Sequence, residues 1–230
     1  MLKRRVITAA VGVPLIIFAV WFGDPWFSLL IAAATLAGTF EFYHMANLDK
    51  REPLTYLGLL WALALVLSPT ILHYKGINTL PITMAAAIVI SLVWILRCLP
   101  RESAFHNWAW MVAGVLYVGW MLSYWLNLRA LDKVGGWVYL AMFTTFANDT
   151  GAFFIGRASG RHKLAPAVSS GKTWEGAIGG LLSAILGAVA ISKIPILFSL
   201  SSFEYWQVAL LGFLISLFAQ LGDLVESLLK

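Results

Sequence analysis

Two kinds of charged residue interrupt this otherwise apolar sequence. Carboxylates lie within apolar runs at Asp149, Asp223 and Glu226, and a basic, glycine-rich segment follows the first of them at residues 156–176. Charges inside apolar segments are costly, so they are candidates for function. Asp223 and Glu226 are spaced i, i+3, which places both on one face of a helix. Carboxylates suit Mg²⁺, which proteins hold with one or two of them together with substrate phosphates.

The basic segment has the composition of a phosphate-binding site. Its cations, Arg157, Arg161, Lys163 and Lys172, could neutralise a polyphosphate, and its glycines permit close backbone approach. Residues 170–173 are not a Walker A loop, because Pro166 stands where that loop needs its first glycine, and we expect no strand before them. The segment predicts an anionic, phosphorylated substrate.

Composition defines the elements that must position these residues. Of the 230 residues, 60% are hydrophobic and 12% are charged, and the mean hydropathy is +0.83. A soluble domain carries about 25% charged residues, so this is a membrane protein. One cysteine excludes an internal disulfide. The sequence contains no nucleic-acid motif, no His/Cys metal cluster and no Ser/His/Asp constellation, so a nucleic-acid partner is not expected.

The apolar segments predict an all-α, polytopic fold with about eight transmembrane helices. Each segment is near the roughly 20 residues that cross a bilayer. They are residues 6–22, 26–46, 54–72, 80–96, 108–128, 137–155, 177–198 and 206–229. We expect a kink or an early helix end at Pro14 and Pro195. The interpretation is one transmembrane domain, 1–230, with N-terminal helices in 1–135 and catalytic-type helices in 136–230.

The distribution of Lys and Arg predicts the orientation. Eight crossings place twelve of the sixteen basic residues on one side, which the positive-inside rule makes cytoplasmic. Both termini and the loop 156–176 then face the cytoplasm. Glu41, Asp149, Asp223 and Glu226 fall toward the same face, at about 22, 18, 26 and 30 Å along helices that run inward.

Other interpretations of these residues stay open. The loop cations could be topology signals or contacts to anionic lipids. Glu41 could be an ordinary hydrogen-bonding residue, and Glu226 could pair with Lys230 at i, i+4. For the whole chain, intramembrane acids also mark transporters, and a non-catalytic lipid-binding subunit is a third hypothesis.

Four stretches resemble a known family. Residues 148–153, 160–166, 169–176 and 220–227 are similar, in this order, to motifs of phosphatidate cytidylyltransferase, also called CDP-diacylglycerol synthase. The resemblance implies a homodimeric integral-membrane enzyme. The compact form of the chain indicates the bacterial inner (plasma) membrane, and the orientation given above makes the active site face the cytoplasm. The family resemblance implies transfer of CMP from CTP to phosphatidic acid with Mg²⁺ as cofactor, giving CDP-diacylglycerol and pyrophosphate.

The resemblance also implies roles for individual residues. Asp149, Asp223 and Lys172 would be catalytic, and Asp223, Asp149 and Glu226 would hold the metal. The residues that would bind substrate are Arg161, Lys163, Ser169, Ser170, Gly171, Thr173 and Glu175. A C-terminal signature with a Lys-Asp pair, a Pro-Gly-His-Gly-Gly turn and an Asp-Arg pair is expected to begin where this sequence stops. A chain without that signature would be truncated and have an incomplete metal site, so whether the 230 residues are active by themselves stays open.

Overall fold

The computed structural model describes residues 2–46, 48, 53–98, 101–194 and 203–229. The chain is 84% helical, which confirms the all-α, polytopic prediction. Six described helical segments are long and apolar enough to cross a membrane, and Ala10–Phe22 is a shorter apolar helix. The helix Gly136–Ser159 is not among the six, because polar residues interrupt its apolar run. The count of eight crossings and the cytoplasmic termini stay predictions.

The chain divides into two compact units, Met1–Leu131 and Asp132–Lys230. The first contains α1 (Leu2–Phe22), α2 (Trp26–Met45), α3 (Pro53–Lys75), α4 (Leu80–Cys98), α5 (Arg101–Gly114), a π-helical segment (Val115–Trp120) and α6 (Met121–Ala130). The second contains α7 (Gly136–Ser159), β1 (Lys163–Ala165), β2 (Ser169–Thr173), α8 (Trp174–Ser192) and α9 (Tyr205–Leu229).

Close packing at small residues holds the first unit together. The buried Tyr43 donates a hydrogen bond from its hydroxyl to the Met111 carbonyl oxygen at 3.0 Å. A Cβ at Gly119, in the π-helical segment, would lie 2.8 Å from Ala62. Arg129 donates from Nε to the Val20 carbonyl oxygen at 2.7 Å, which satisfies a carbonyl that the last turn of α1 leaves without a partner.

In the second unit, glycines let α7 and α8 approach each other closely. A Cβ at Gly180 would lie 2.9 Å from the Asn148 carbonyl oxygen, and one at Gly176 would lie 2.9 Å from the Ala152 carbonyl oxygen. Small residues at a spacing of four are the usual means by which membrane helices come together. α9 packs on α8 in the same way, since a Cβ at Gly212 would lie 2.9 Å from the Ala188 side chain.

The structure tests two local expectations and corrects one of them. α1 continues through Pro14, so the helix does not end there and a kink at this residue stays a prediction, whereas Pro195 lies outside the described residues. The polar residues 148–151 and 220–223 lie within the continuous helices α7 and α9, in agreement with the expected segments 137–155 and 206–229. The expectation of no strand before residue 170 is wrong, because β1 and β2 form an antiparallel hairpin. Mean hydropathy identifies apolar membrane segments, and it gives no signal for a short polar hairpin.

Candidate phosphate-binding site

A β-hairpin connects α7 to α8 and shapes one wall of the site. Lys163 pairs with Thr173 and Ala165 pairs with Ser169, with an irregularity in the register between the two pairs. Lys163 donates from Nζ to the Ser170 carbonyl oxygen at 2.7 Å, across the hairpin. The Lys163 side chain is exposed, but its ammonium is held on the hairpin by this hydrogen bond.

The second strand runs directly into α8. The buried Thr173 is the N-cap, and its Oγ1 accepts a hydrogen bond from the Gly176 amide at 3.1 Å, which is the usual way a threonine starts a helix. The hairpin is also fastened to the first turn of α8. Glu175 lies 2.7 Å from the His162 ring Nδ1 and accepts from the His162 amide at 3.2 Å. Glu175 therefore fixes the position of the hairpin.

A cavity of about 520 Å³ lies between the hairpin and the three helices of the second unit. Ligand pockets commonly have volumes of about 300 to 1,000 Å³. The first turn of α8 opens onto it, and helix N-termini favour anions. The lining residues are Asn148, Asp149, Ala152, Phe153, Gly156, Arg157, Leu164, Gly171, Lys172, Thr173, Gly176, Ala177, Gln220 and Asp223.

Lys172 supplies a buried positive charge to this cavity. Its Nζ lies 2.8 Å from Asp223 Oδ2, and the two side chains are 22% and 60% exposed. Among the described residues this ammonium has no hydrogen-bond partner, and its contact with Asp223 is an ion pair. A buried ammonium with unused donors can bind a phosphate oxygen, because each such bond replaces hydration that the ammonium has lost.

An amide network orients Asp149, the other carboxylate of the cavity. Asn148 is buried, and its Oδ1 accepts hydrogen bonds from Ser216 Oγ at 2.7 Å and from Gln220 Nε2 at 3.1 Å. Its Nδ2 is thereby directed to Asp149 Oδ1 at 3.0 Å. Gln220 also donates to the Ala177 carbonyl oxygen at 3.0 Å. The network thus joins α7, α8 and α9 at the wall of the cavity, and a buried network with satisfied groups fixes side-chain positions.

The carboxylates of the cavity fit Mg²⁺ if a bound substrate supplies further phosphate oxygens. Asp149 and Asp223 line the same cavity, and two carboxylates with substrate phosphates are a normal Mg²⁺ environment. Within the described ranges, no group of three or more His, Cys, Asp or Glu side chains could hold a metal ion. Asp149, Asp223 and Glu226 are therefore not gathered into one three-carboxylate site. Metal binding at these residues stays a prediction.

The structure separates the sequence-predicted site residues into two groups. Asp149, Asp223, Lys172, Gly171 and Thr173 line the cavity. Those outside its lining are Arg161, Lys163, Ser169, Ser170, Glu175 and Glu226.

The residues outside the lining differ in their surroundings. Glu175 and Lys163 make contacts within the hairpin region, and Arg161 and Ser170 are exposed. Glu41 belongs to the other unit and is exposed, so its convergence with the remaining acids stays a prediction.

Phe153 and Gln220 line the cavity without a role predicted from the sequence. Arg157, Phe153 and Asp149 form an i, i+4 row on α7, and all three line the cavity. Spacing alone could have grouped them. Gln220 could have been singled out as a polar residue one turn after Ser216 within an apolar helix.

The geometry of the site indicates a class of protein, a membrane protein that binds phosphate. A bundle of membrane helices carries a cavity with a buried ammonium, two carboxylates and a helix N-terminus, and these groups together suit a phosphate group with a metal ion. The chain belongs to the Cytidylyltransferase family, whose model matches residues 3–230. It is therefore a nucleotidyltransferase of the membrane.

Individual relatives agree with the family. A phosphatidate cytidylyltransferase of Bacillus subtilis (strain 168) is 29% identical over 235 residues, covering 100% of this chain and 84% of that protein. The enzyme of that name from Brucella suis biovar 1 (strain 1330) is 30% identical over 233 residues, covering 100% of this chain and 80% of the relative. One from Synechocystis sp. is 27% identical over 260 residues, covering 99% and 83%.

Proposed function

We propose that this protein transfers CMP from CTP to phosphatidic acid, giving CDP-diacylglycerol and pyrophosphate. The observation that carries the proposal is the buried Lys172 ammonium beside Asp223, in a cavity that also contains Asp149 and the first turn of α8. The names of the relatives supply the two substrates. A transporter hypothesis gains no support from the family, whose model matches nearly the whole chain.

The proposed reaction is a single displacement at phosphorus. An oxygen of the lipid phosphate attacks the α-phosphorus of CTP and forms the new P–O bond. The bond from that phosphorus to the oxygen bridging to the β-phosphate breaks, and pyrophosphate leaves with the electron pair. No protein nucleophile is needed, so the protein acts by positioning the reactants and by stabilising charge.

Four lining residues have a direct place in this scheme. Lys172 would bind a phosphate of CTP with the N–H donors that its contact with Asp223 leaves unused. Gly171 and Thr173 would form the wall against the triphosphate. Asp149 would be held in position by the Asn148 amide.

Asp223 and Asp149 are the residues that would hold Mg²⁺, with Glu226 as a further candidate on the same helix as Asp223. When bound, the ion would offset charge on the transferring and leaving phosphates. The residues of the chain would supply the remaining charge and would exclude water from the reacting atoms.

Pyrophosphate release tests the reaction. The native gene product, reconstituted with CTP and Mg²⁺, should release pyrophosphate only when phosphatidic acid is present, and CDP-diacylglycerol should accumulate in equal amount. Lys172→Met should abolish most of this release, whereas Lys193→Met, at the opposite end of α8, should not. Release without phosphatidic acid, or none with it, would refute the proposed reaction.

The finer location is also part of the proposal: an inner-membrane protein whose site faces the cytoplasm, acting as a homodimer. The positive-inside distribution supports the orientation. With its single cysteine, Cys98, changed to serine, the exposed position Ser170 can be made Cys and treated with an impermeant maleimide. Labelling from the cytoplasmic side alone is expected, and labelling from the outside would reverse the orientation. Light scattering of the detergent-solubilised protein tests the dimer.

A further inference from the structure

A second cation at the cavity, Arg157, has a different environment from Lys172. Arg157 lies in the last turn of α7, is exposed and lines the cavity. Its guanidinium carbon lies 6.0 Å from the centre of the Phe153 ring. Over the described part of the chain it makes no ion pair or hydrogen bond. All five of its N–H donors are therefore free for a ligand.

The flank of α7 next to Arg157 is apolar. Phe153 and Phe154 are 58% and 63% exposed, although both are large hydrophobic residues. In a helix of a membrane protein, such exposed aromatic side chains belong to surroundings of lipid or interface. Phe153 also lines the cavity, so the rim at Arg157 joins a polar interior to an apolar flank.

The proposed reaction brings together two anionic substrates of opposite solubility. A soluble nucleotide gains nothing from an exposed apolar flank. A lipid phosphomonoester needs that flank for its glycerol and acyl part, and it needs a cation for its phosphate. Arg is suited to this task, because its planar fork binds two phosphate oxygens at once.

We propose that Arg157, supported by the Phe153 ring, binds the phosphomonoester of the lipid substrate, while Lys172 serves the nucleotide. This assignment rests on the proposed function, since it divides the two substrates of that reaction between two cations. The row from Asp149 through Phe153 to Arg157 extends about 12 Å along α7. A lipid phosphate bound at Arg157 would therefore lie at the end of this row that is farthest from Asp149, with Phe153 between them.

Steady-state kinetics with each substrate varied in turn tests the assignment. Arg157→Gln should raise the KM for phosphatidic acid roughly 10- to 100-fold, the expected loss for a charge-assisted contact, and should change the CTP affinity less than about 3-fold. Arg157→Lys keeps the charge without the fork, and it should raise that KM roughly 3- to 10-fold. A structural role would move both substrates together.

Lys193→Met is the matched control, because Lys193 also lies over an aromatic ring, 3.7 Å from the centre of Tyr205. It is the C-cap residue of α8 and does not line the cavity. Neither substrate's KM should change. A loss of CTP affinity in Arg157→Gln, with the lipid KM unchanged, would overturn the assignment, as would no change in either.

A binding measurement separates this inference from the proposed function. Native mass spectrometry of the protein with equal amounts of phosphatidic acid and phosphatidylglycerol should show preferential retention of phosphatidic acid. Arg157→Gln should abolish the preference without affecting CTP retention. Lack of turnover by the wild type would refute the reaction alone, whereas lack of any wild-type preference, or equal preference in Arg157→Gln, would refute the role of Arg157.

Discussion

Removing either partner of the Lys172–Asp223 ion pair should change the stability of the protein by very different amounts. The two atoms lie 2.8 Å apart, but Asp223 is 60% exposed and the Lys172 ammonium is buried. Lys172→Met leaves a carboxylate that water can solvate. Asp223→Asn leaves a buried ammonium without its counter-ion. We expect the second variant to be the less stable one, although both break the same contact.

The magnitudes follow from this difference in exposure. Lys172→Met leaves only the largely exposed Asp223 carboxylate, so the expected loss is that of a surface ion pair, about 0 to 1 kcal/mol. A buried charge left unpaired costs about 3 to 5 kcal/mol. Because the Lys172 side chain is 22% exposed and its stem can turn the ammonium toward water, the expectation for Asp223→Asn is lower, about 2 to 3 kcal/mol. In the double variant no buried charge remains, so its stability should return to within about 1 kcal/mol of the wild type.

Denaturant titration of the detergent-solubilised protein measures the stability of each variant, and equilibrium CTP binding measures function. Lys172→Met should bind CTP about 10- to 100-fold more weakly, corresponding to one lost charge-assisted contact, while its stability is nearly unchanged. Lower stability in Lys172→Met than in Asp223→Asn would contradict the reasoning. A double variant no more stable than Asp223→Asn would contradict it as well.

Three further predictions concern packing, anchoring and the metal. Gly180→Ala should destabilise the protein by about 1 to 3 kcal/mol, because its Cβ would lie 2.9 Å from Asn148 oxygens, while Gly222→Ala, with nothing within 4 Å, should be neutral or stabilising in the same denaturant titration. Glu175→Ala should increase the rate of tryptic cleavage in the hairpin severalfold, since it removes the contacts to His162. Chelation of Mg²⁺ should weaken CTP binding about tenfold or more, and added Mg²⁺ should restore it.

Each of these has a clear contrary outcome. Equal effects of the two glycine substitutions would mean that α7 and α8 are not in close contact at Gly180. Unchanged cleavage in Glu175→Ala would show that other contacts hold the hairpin, and Glu175 would then be open to its sequence-predicted role in binding substrate. If chelation leaves CTP binding unchanged, the proposal that Asp149 and Asp223 hold Mg²⁺ is refuted.

The sequence predicts the apolar helices well where charge or proline interrupts the run. The expected segments 80–96 and 206–229 correspond to α4 (Leu80–Cys98) and α9 (Tyr205–Leu229). It predicts them less well where a helix continues through polar residues. α5 begins at Arg101, seven residues before the expected segment 108–128, because a helix needs backbone hydrogen bonds and not apolar side chains. Hydropathy therefore indicates which residues cross the membrane, and it does not indicate where the helix begins.

The polar residues inside α7 and α9 illustrate a second limit. Asn148 and Gln220 look like interruptions along the chain, because each is a polar amide within an apolar run. In the fold they are partners of each other, with Nε2 of one 3.1 Å from Oδ1 of the other. A buried polar group is tolerated when its hydrogen bonds are made, and these bonds join residues 72 positions apart. A pattern of local spacing cannot detect such a pair.

The separation of Lys163 from Lys172 depends on the hairpin for the same reason. Both are lysines within one basic segment, and both were assigned to phosphate binding from sequence. The register and its irregularity between Lys163 and Ala165 decide that Lys163 donates to the Ser170 carbonyl, while Lys172 lies beside Asp223 in the cavity. A shift of one residue in pairing reverses which side chains face inward. The electrostatic character of the site is therefore set by a backbone register that residue types alone do not determine.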